Sequence, residues 1–514
     1  MDFGSITEFL ANKTILVTGA TGFIAKILVE KILRVQPNVN KLYLLIRASN
    51  SQAADIRLQD EVYMRTTKLR KLSLVAHIVV RTVFWTQVLG KELFKILREK
   101  WGTKFECFMS EKISAVAGDT SYENLGITGH RLKQMYNDID IVINVAATTK
   151  FDERYDVALG VNTLGPKHVV NFAKNCANIK LLIHVSTAYV CGEKTGIISE
   201  KAYGMGETLN GVVGLDIDSE KKLVDQTLSS LKASDVPEKD IRIRMKNLGD
   251  QRAKFYGWPN TYVFTKAMGE MLVGKLRGNL PVLIMRPTIV CSTFKEPFPG
   301  WVEGCRTIDS IAVMYGKGYL GLFCGDSTSV LDLIPADMFV NSIIVAMKDH
   351  INQSKLTVYQ VGSSKRNPIS LGDVHDILFR YFTKNPWINR EGNTVNVRKG
   401  VVLSNILIFE IIFSLLHYFV QMVLILPNKM GDSSFLRTLR NFDKKLKMVT
   451  RIVELYKPYV FFKGIFADTN TEKLLITARE NGLDENAFNF DPLCINWKDY
   501  FFNIHLPSIV DNLF

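Results

Sequence analysis

A doubly wound parallel α/β sheet followed by a mainly helical C-terminal region is the fold this sequence predicts. Three observations predict it. A glycine turn, Thr18-Gly19-Ala20-Thr21-Gly22-Phe23-Ile24-Ala25, follows directly on the apolar run Thr14-Ile15-Leu16-Val17. The pair Tyr262-Val263-Phe264-Thr265-Lys266 stands far downstream of it. Apolar strand-like runs alternate with helical stretches from residue 14 to about residue 365, as a parallel sheet covered on both faces requires.

The strands are expected at 14–18, 41–46, 113–117, 139–145, 180–186, 282–286 and 356–361. The helix after the glycine turn is expected over 22–35, ending before Pro37. Asn385-Pro386 and Gly392-Asn393 break the alternation. They place the division between residues 1–380, a nucleotide-binding reductase domain, and residues 381–514. No internal repeat interrupts either part.

Two segments stand apart. Residues 63–89 carry Arg65, Lys68, Arg70, Lys71 and Arg81, no acid, and the apolar stretch Leu74–Val80. Residues 401–426 are nearly continuously apolar, and Arg437, Arg440, Lys444, Lys445, Lys447 and Arg451 follow. Segment 401–426 is long enough to span a bilayer. On a helix, however, Glu410, Ser414, His417 and Gln421 fall in one narrow polar stripe, which a spanning helix rarely keeps without partners. A helix in the membrane interface, or one with its stripe packed on the catalytic domain, fits better. A buried core helix is the third reading. The basic run would suit an anionic leaflet.

Composition narrows the function. The 514 residues are 47% hydrophobic and 22% charged, which is a folded chain of two or three domains. The net charge of +13 admits nucleic acid, an anionic membrane face or an anionic substrate as partner. No nucleic-acid module is recognisable among the basic residues, so the last two are favoured and no nucleic acid is expected. The 7 cysteines show no CxxC pair and no metal-ligand spacing. They point to a reducing compartment, with neither a disulfide framework nor a metal site. Met1–Asn12 contains Asp2 and Glu8 and runs straight into the first strand, leaving no room for a signal or plastid transit peptide. The catalytic domain is expected to face the cytosol.

The turn Gly19-x-x-Gly22-x-x-Ala25 lies between a strand and a helix, where a Rossmann dinucleotide site needs it. Gly19 permits the tight turn. Gly22 admits a pyrophosphate to the helix N-terminus. Ala25 allows close helix–sheet packing. The second strand ends Leu45-Ile46-Arg47, with no acid between Glu30 and Asp55 to accept from a ribose 2′-hydroxyl. Arg47, helped by Arg57, can grip a 2′-phosphate instead, so NADP(H) is the expected cofactor.

Tyr262 and Lys266 share one helical face. The lysine cation is expected to lower the phenol from its ordinary pKa of about 10. Tyr262 would then protonate the oxygen that gains charge as hydride arrives, and Lys266 would also hold the nicotinamide ribose. The fifth strand ends His184-Val185-Ser186-Thr187. Thr187 is the expected second hydroxyl at the substrate carbonyl, with Ser186 the alternative. Strand alternation buries His184.

These residues resemble the extended short-chain dehydrogenase/reductase superfamily, and longer stretches are similar to its plant alcohol-forming fatty acyl-CoA reductases. The similarity covers Ile15–Lys26, Glu153–Asp156, His184–Val190, Asn260–Ala267, Arg286–Ile289, Lys295–Val302 and Asp332–Asp337. It continues in the C-terminal part at Tyr456–Tyr459, Asn470–Lys473 and Phe490–Pro492. The resemblance implies Thr187, Tyr262 and Lys266 as catalytic positions. It implies Gly19, Thr21, Gly22, Phe23, Ile24, Arg47, Asp119, Ala146 and Ala147 as cofactor contacts, with Asp119 near the adenine. Pro287 to Ile289 would pass the nicotinamide, and Asn162 would steady a water or the local backbone.

The implied reaction takes a long- or very-long-chain fatty acyl-CoA to a primary alcohol with two NADPH, through a hemithioacetal and an aldehyde. It would occur at the cytosolic face of the endoplasmic reticulum membrane and feed wax- or suberin-type lipids. Segment 63–89 departs from the family, which usually runs directly from Leu58–Val62 to Gly90–Phe94. It reads as either a membrane-contacting hairpin or an insert that disturbs folding. Two other functions stay open on the residues alone: reduction of a small carbonyl compound, and nucleotide binding without turnover.

Overall fold

The computed structural model describes residues 6–47, 88–351, 353–389, 391–425 and 433–513. Arg57 and residues 63–87 lie outside the described residues. Seven strands form one sheet: β1 Thr14–Thr18, β2 Lys41–Ile46, β3 Ile113–Ala117, β4 Ile141–Asn144, β5 Leu181–Val185, β6 Val282–Pro287 and β7 Leu356–Val361. Their order is β7-β6-β5-β4-β1-β2-β3, and every neighbouring pair is parallel. All residues of β1, β5 and β6 are buried, because helices cover both faces. That double burial is why these strands read as unbroken apolar runs. The strand order reverses between β1 and β4. The crevice beyond the carboxyl ends of these two strands is where a doubly wound sheet binds its ligand.

Seven helices matter for the site: α1 Phe23–Val35, α2 Thr261–Leu276, α3 Thr307–Gly316, α4 Ala336–His350, α5 Leu371–Lys384, α6 Ile406–Ile425 and α7 Ser433–Val460. Residue 380 lies inside α5, whose start is fixed by a reciprocal Ser370–Asp373 capping box. The Asn385–Asn393 break is the turn of a small hairpin joining Trp387–Ile388 to Thr394–Val395.

The C-terminal region is interlocked with the sheet domain. Strand Gly464–Phe466 pairs in parallel with Gly196–Ile198. Arg366 bridges Asp468 at 2.7 Å and Asp491 at 3.0 Å. The Tyr500 hydroxyl donates to the Ser292 carbonyl at 2.8 Å.

Helices α6 and α7 form an antiparallel hairpin. Gln421 Nε2 donates to Asp443 Oδ1 at 2.9 Å, and the His417 imidazole lies 3.0 Å from the same carboxylate. Glu410 meets Lys457 at 3.7 Å. The expected polar stripe therefore exists, but it docks on α7 rather than on the catalytic domain. The reading of 401–426 as a buried core helix is overturned. Phe409 and Val420 are buried, whereas Leu407, Ile411, Leu415, Tyr418 and Phe419 are exposed, Leu415 by 63%. The stripe is the side that needs partners within the protein, so the apolar side is the one turned outward.

Candidate active site

Gly19 has φ +67°, and a Cβ there would lie 2.7 Å from both Cα and N of Ala146. Only glycine lets the β1 turn approach the end of β4 this closely. The Gly22 amide donates to Gly19 O at 2.8 Å, and α1 begins at Phe23 with no side-chain cap. First-turn amides at a helix N-terminus are the donors a pyrophosphate uses. The Ala146 amide donates to Thr18 Oγ1 at 3.2 Å, which holds the facing turn.

Gly22, Phe23, Ile24, Ala147, Pro287 and Ile289 line one cavity with Tyr262 and Lys266. Thr21 is exposed at the turn, and Arg47 is exposed just past β2. Asp119 lies just past β3, where its carboxylate accepts from the Ser121 amide at 2.9 Å. These residues fit a dinucleotide stretched across the β1/β4 reversal, with its adenine half toward β2 and β3.

Thr187 follows β5 and lines the cavity beside Tyr262, where its hydroxyl draws the phenol's pKa down. Its Oγ1 also accepts from the Tyr189 amide at 3.3 Å. Ser186 lines the same cavity, but its hydroxyl has no partner among the described residues. Between the two candidates, the structure brings Thr187 to the phenol. Lys266, one helical turn on, donates to the Val185 carbonyl at 2.7 Å. His184 is buried as expected and meets Asn144 at 3.1 Å.

The expectation that Lys266 lowers the Tyr262 pKa is not met. Burial dominates and pushes the phenol up to about 12, opposed only by the Thr187 hydrogen bond. Burial also takes the lysine itself down to about 8, although the Glu270 carboxylate pulls the other way. For each group desolvation outweighs its one opposing neighbour, Thr187 for the phenol and Glu270 for the lysine.

Several contacts fix α2. Asn260 caps it by accepting from the Val263 amide at 3.1 Å, and Asn260 Nδ2 donates to the Tyr459 hydroxyl of α7 at 3.0 Å. Glu270 and Arg286 form a fully buried fork, with Nε–Oε1 2.9 Å and Nη2–Oε2 2.5 Å, which ties α2 to β6. Asn162 makes three bonds, two to the backbone of Thr148 and one to Thr265 Oγ1. It steadies the β4 loop against α2.

Past Tyr262 the cavity, of about 610 Å³, becomes apolar. Its walls include Ile308 and Ile311 of α3, Phe323, Leu378 of α5, and Ile452 and Tyr456 of α7. Phe151 stacks on Tyr459 at 5.0 Å and meets Tyr262 at 5.9 Å. Asp152 anchors its loop between Lys246 at 3.0 Å and Arg451 at 2.5 Å. No sequence spacing pointed to α5 or to Phe151, since both reach the site through long-range packing. The geometry is suited to delivering a proton to a carbonyl oxygen at the end of a long apolar chain.

Two family models described as male sterility protein match residues 17–343 and 412–513. An alcohol-forming fatty acyl-CoA reductase of Simmondsia chinensis is 49% identical over 100% of this chain and 99% of its own length. Fatty acyl-CoA reductase 1 of Arabidopsis thaliana is 47% identical over 98% of both chains. Among solved structures, the terminal R domain from the myxalamid PKS-NRPS biosynthetic pathway superposes with TM-score 0.55 and 17% identity. That match covers 98% of this chain and 91% of that one, and it is a likeness of fold.

Proposed function

The chain belongs to the fatty acyl-CoA reductase family, and from that premise we propose that it reduces a long-chain fatty acyl-CoA to the primary alcohol and free CoA with NADPH. The observation that carries this reading is one continuous cavity. It runs from the glycine turn, past Thr187, Tyr262 and Lys266, into an apolar pocket walled by α3, α5 and α7.

Two NADPH, bound in succession along the turn, would supply one hydride each. Tyr262 gives its phenolic proton to the oxygen that gains negative charge. Thr187 donates a second hydrogen bond to that oxygen, and Lys266 would hold the nicotinamide ribose that carries the hydride to it. The first reduction makes a hemithioacetal; as its C–S bond breaks, its hydroxyl proton returns to Tyr262 and CoA leaves as the thiolate, which solvent protonates. The same groups then protonate the oxygen of the aldehyde. Arg47, exposed at the end of β2, offers a planar fork to a 2′-phosphate and favours NADPH over NADH. In this reading residues 1–380 carry the reduction and the α3 side of the acyl pocket, and 381–514 add the α7 side and the membrane contact. Helix α5, which crosses residue 380, is their shared wall. Product analysis tests the reading: purified chain with NADPH and acyl-CoAs should yield a primary alcohol and two NADP⁺ per CoA released. Release of CoA without alcohol would refute it.

The reading also places the chain on the cytosolic face of the endoplasmic reticulum, where the alcohol enters wax- or suberin-type lipids. Helix α6 lies in the membrane interface there. Asp443 meets His417 and Gln421, so Lys444, Lys445 and Lys447 run beside the C-terminal half of α6. A spanning α6 would draw these cations into the hydrocarbon region, where charged side chains are costly. Lying flat, α6 seats its apolar face among acyl chains. Alkaline carbonate should release the wild-type chain from membranes. The double substitution Leu415→Glu with Phe419→Glu should move it to the soluble fraction with its fold intact. Carbonate-resistant wild type would show a spanning helix instead.

A further inference from the structure

Arg306 has no role in the arrangement described so far. It lies at the mouth of the cavity, immediately before α3, and lines it together with Gly22, Phe23 and Thr307. Its guanidinium sits 4.9 Å from the centroid of the Phe23 ring, the first residue of α1. It forms no ion pair among the described residues. The nearby acids are already engaged: Glu303 is held by Lys26 at 2.6 Å and Lys91 at 3.1 Å. Asp309 accepts from the Arg306 amide at 3.2 Å and lies 3.3 Å from His505. The backbone that presents Arg306 is constrained, because Thr307 is held at φ +27°. A β-branched residue adopts that conformation only where its surroundings impose it.

The N-termini of α1 and α3 thus meet at this mouth with a free guanidinium between them. Lys26 and Lys91 neutralise Glu303, while the Asp309 carboxylate accepts from the backbone at the start of α3 and faces His505. Such a site takes a doubly charged, multi-oxygen anion, and a guanidinium stacked on a ring keeps its outer N–H edge free to bind one bidentately. We infer that Arg306 and Phe23 form a pyrophosphate clamp, in which the α3 side of the cavity grips a nucleotide already seated on the α1 turn. The inference rests on the proposed reaction, whose two reactants, NADPH and acyl-CoA, both carry a pyrophosphate.

The test measures binding as well as turnover. NADPH is titrated by its fluorescence into the full chain, with adenosine 2′-monophosphate, which lacks a pyrophosphate, as competitor. Arg306→Gln should raise the NADPH Kd about tenfold and leave adenosine 2′-monophosphate unchanged, which assigns the clamp to the cofactor. If instead KM rises about tenfold for acyl-CoA and not for the acyl-pantetheine thioester, the clamp holds the CoA pyrophosphate. Arg306→Lys, which keeps the charge and loses the fork, should fall between. Unchanged Kd and KM in a folded Arg306→Gln chain overturn the inference. Failure of the wild type to bind NADPH would instead overturn the proposed reaction.

Discussion

Tyr262→Phe is expected to lower acyl-CoA reduction by about 10²–10⁴-fold, the usual contribution of a positioned proton donor. The ring survives the substitution, so its contact with Phe151 at 5.9 Å and the packing of α2 survive with it. Affinity for NADPH should therefore change little, and the loss should fall on kcat. The proton balance gives the expectation a second readout. Burial lowers Lys266 to about 8. The lysine is thus a cation below that pH and becomes neutral as pH rises through it. With the cation gone, the donor that holds the nicotinamide ribose beside Tyr262 is weakened. Since kcat/KM reports groups of the free enzyme, it should fall on the alkaline side of about pH 8. Full activity in Tyr262→Phe would remove the phenol from the mechanism. A flat profile from pH 7 to 9 would do the same for the lysine's charge.

Gly19→Ala is expected to abolish NADPH binding outright. The new methyl would sit 2.7 Å from two backbone atoms of Ala146, at a φ of +67° that costs an L-residue about 1–2 kcal/mol even in open space. Backbone cannot step aside as a side chain can, so the β1 turn or the end of β4 must move, and the pyrophosphate cradle with it. Gly102→Ala separates strain from collision: φ there is +48°, with nothing within 4 Å of the added methyl. It should lower thermal stability slightly and leave nucleotide binding unchanged. The check is the rise in Tm on adding NADPH. That rise should vanish in Gly19→Ala and persist in Gly102→Ala. If Gly19→Ala kept it, the turn would not be the nucleotide site.

What could be read from the sequence followed burial on two faces. Strands such as Leu181–Val185 are apolar at nearly every position, so their limits showed within a residue or two. The Tyr262/Lys266 pair was legible because helical spacing alone puts both on one side of α2. The electrostatics were not legible. A charge four residues away says nothing about how much water each group has lost, and here that loss decides the direction for both. The partner of the α6 polar stripe was equally hidden, although an outward apolar face was among the expectations. Periodicity revealed the polar stripe, but the partner of that stripe, Asp443, lies in another helix and is buried only in the folded chain. Phe151, α5 and Arg306 reach the cavity through contacts between distant parts of the chain, for which a single sequence carries no spacing signal.

Tyr459 of α7 touches both the cap of the catalytic helix, through Asn260, and the aromatic ring beside the phenol, through Phe151. The two halves of the chain are therefore not interchangeable cassettes. Grafting the C-terminal part of one paralogue onto the reductase part of another would import a new acyl wall, but it would also reset the angle at which the proton donor is held. Chain-length preference and turnover should be inherited together in such chimeras. Natural divergence in one property should leave its compensating substitutions at the few aromatic positions where the halves meet.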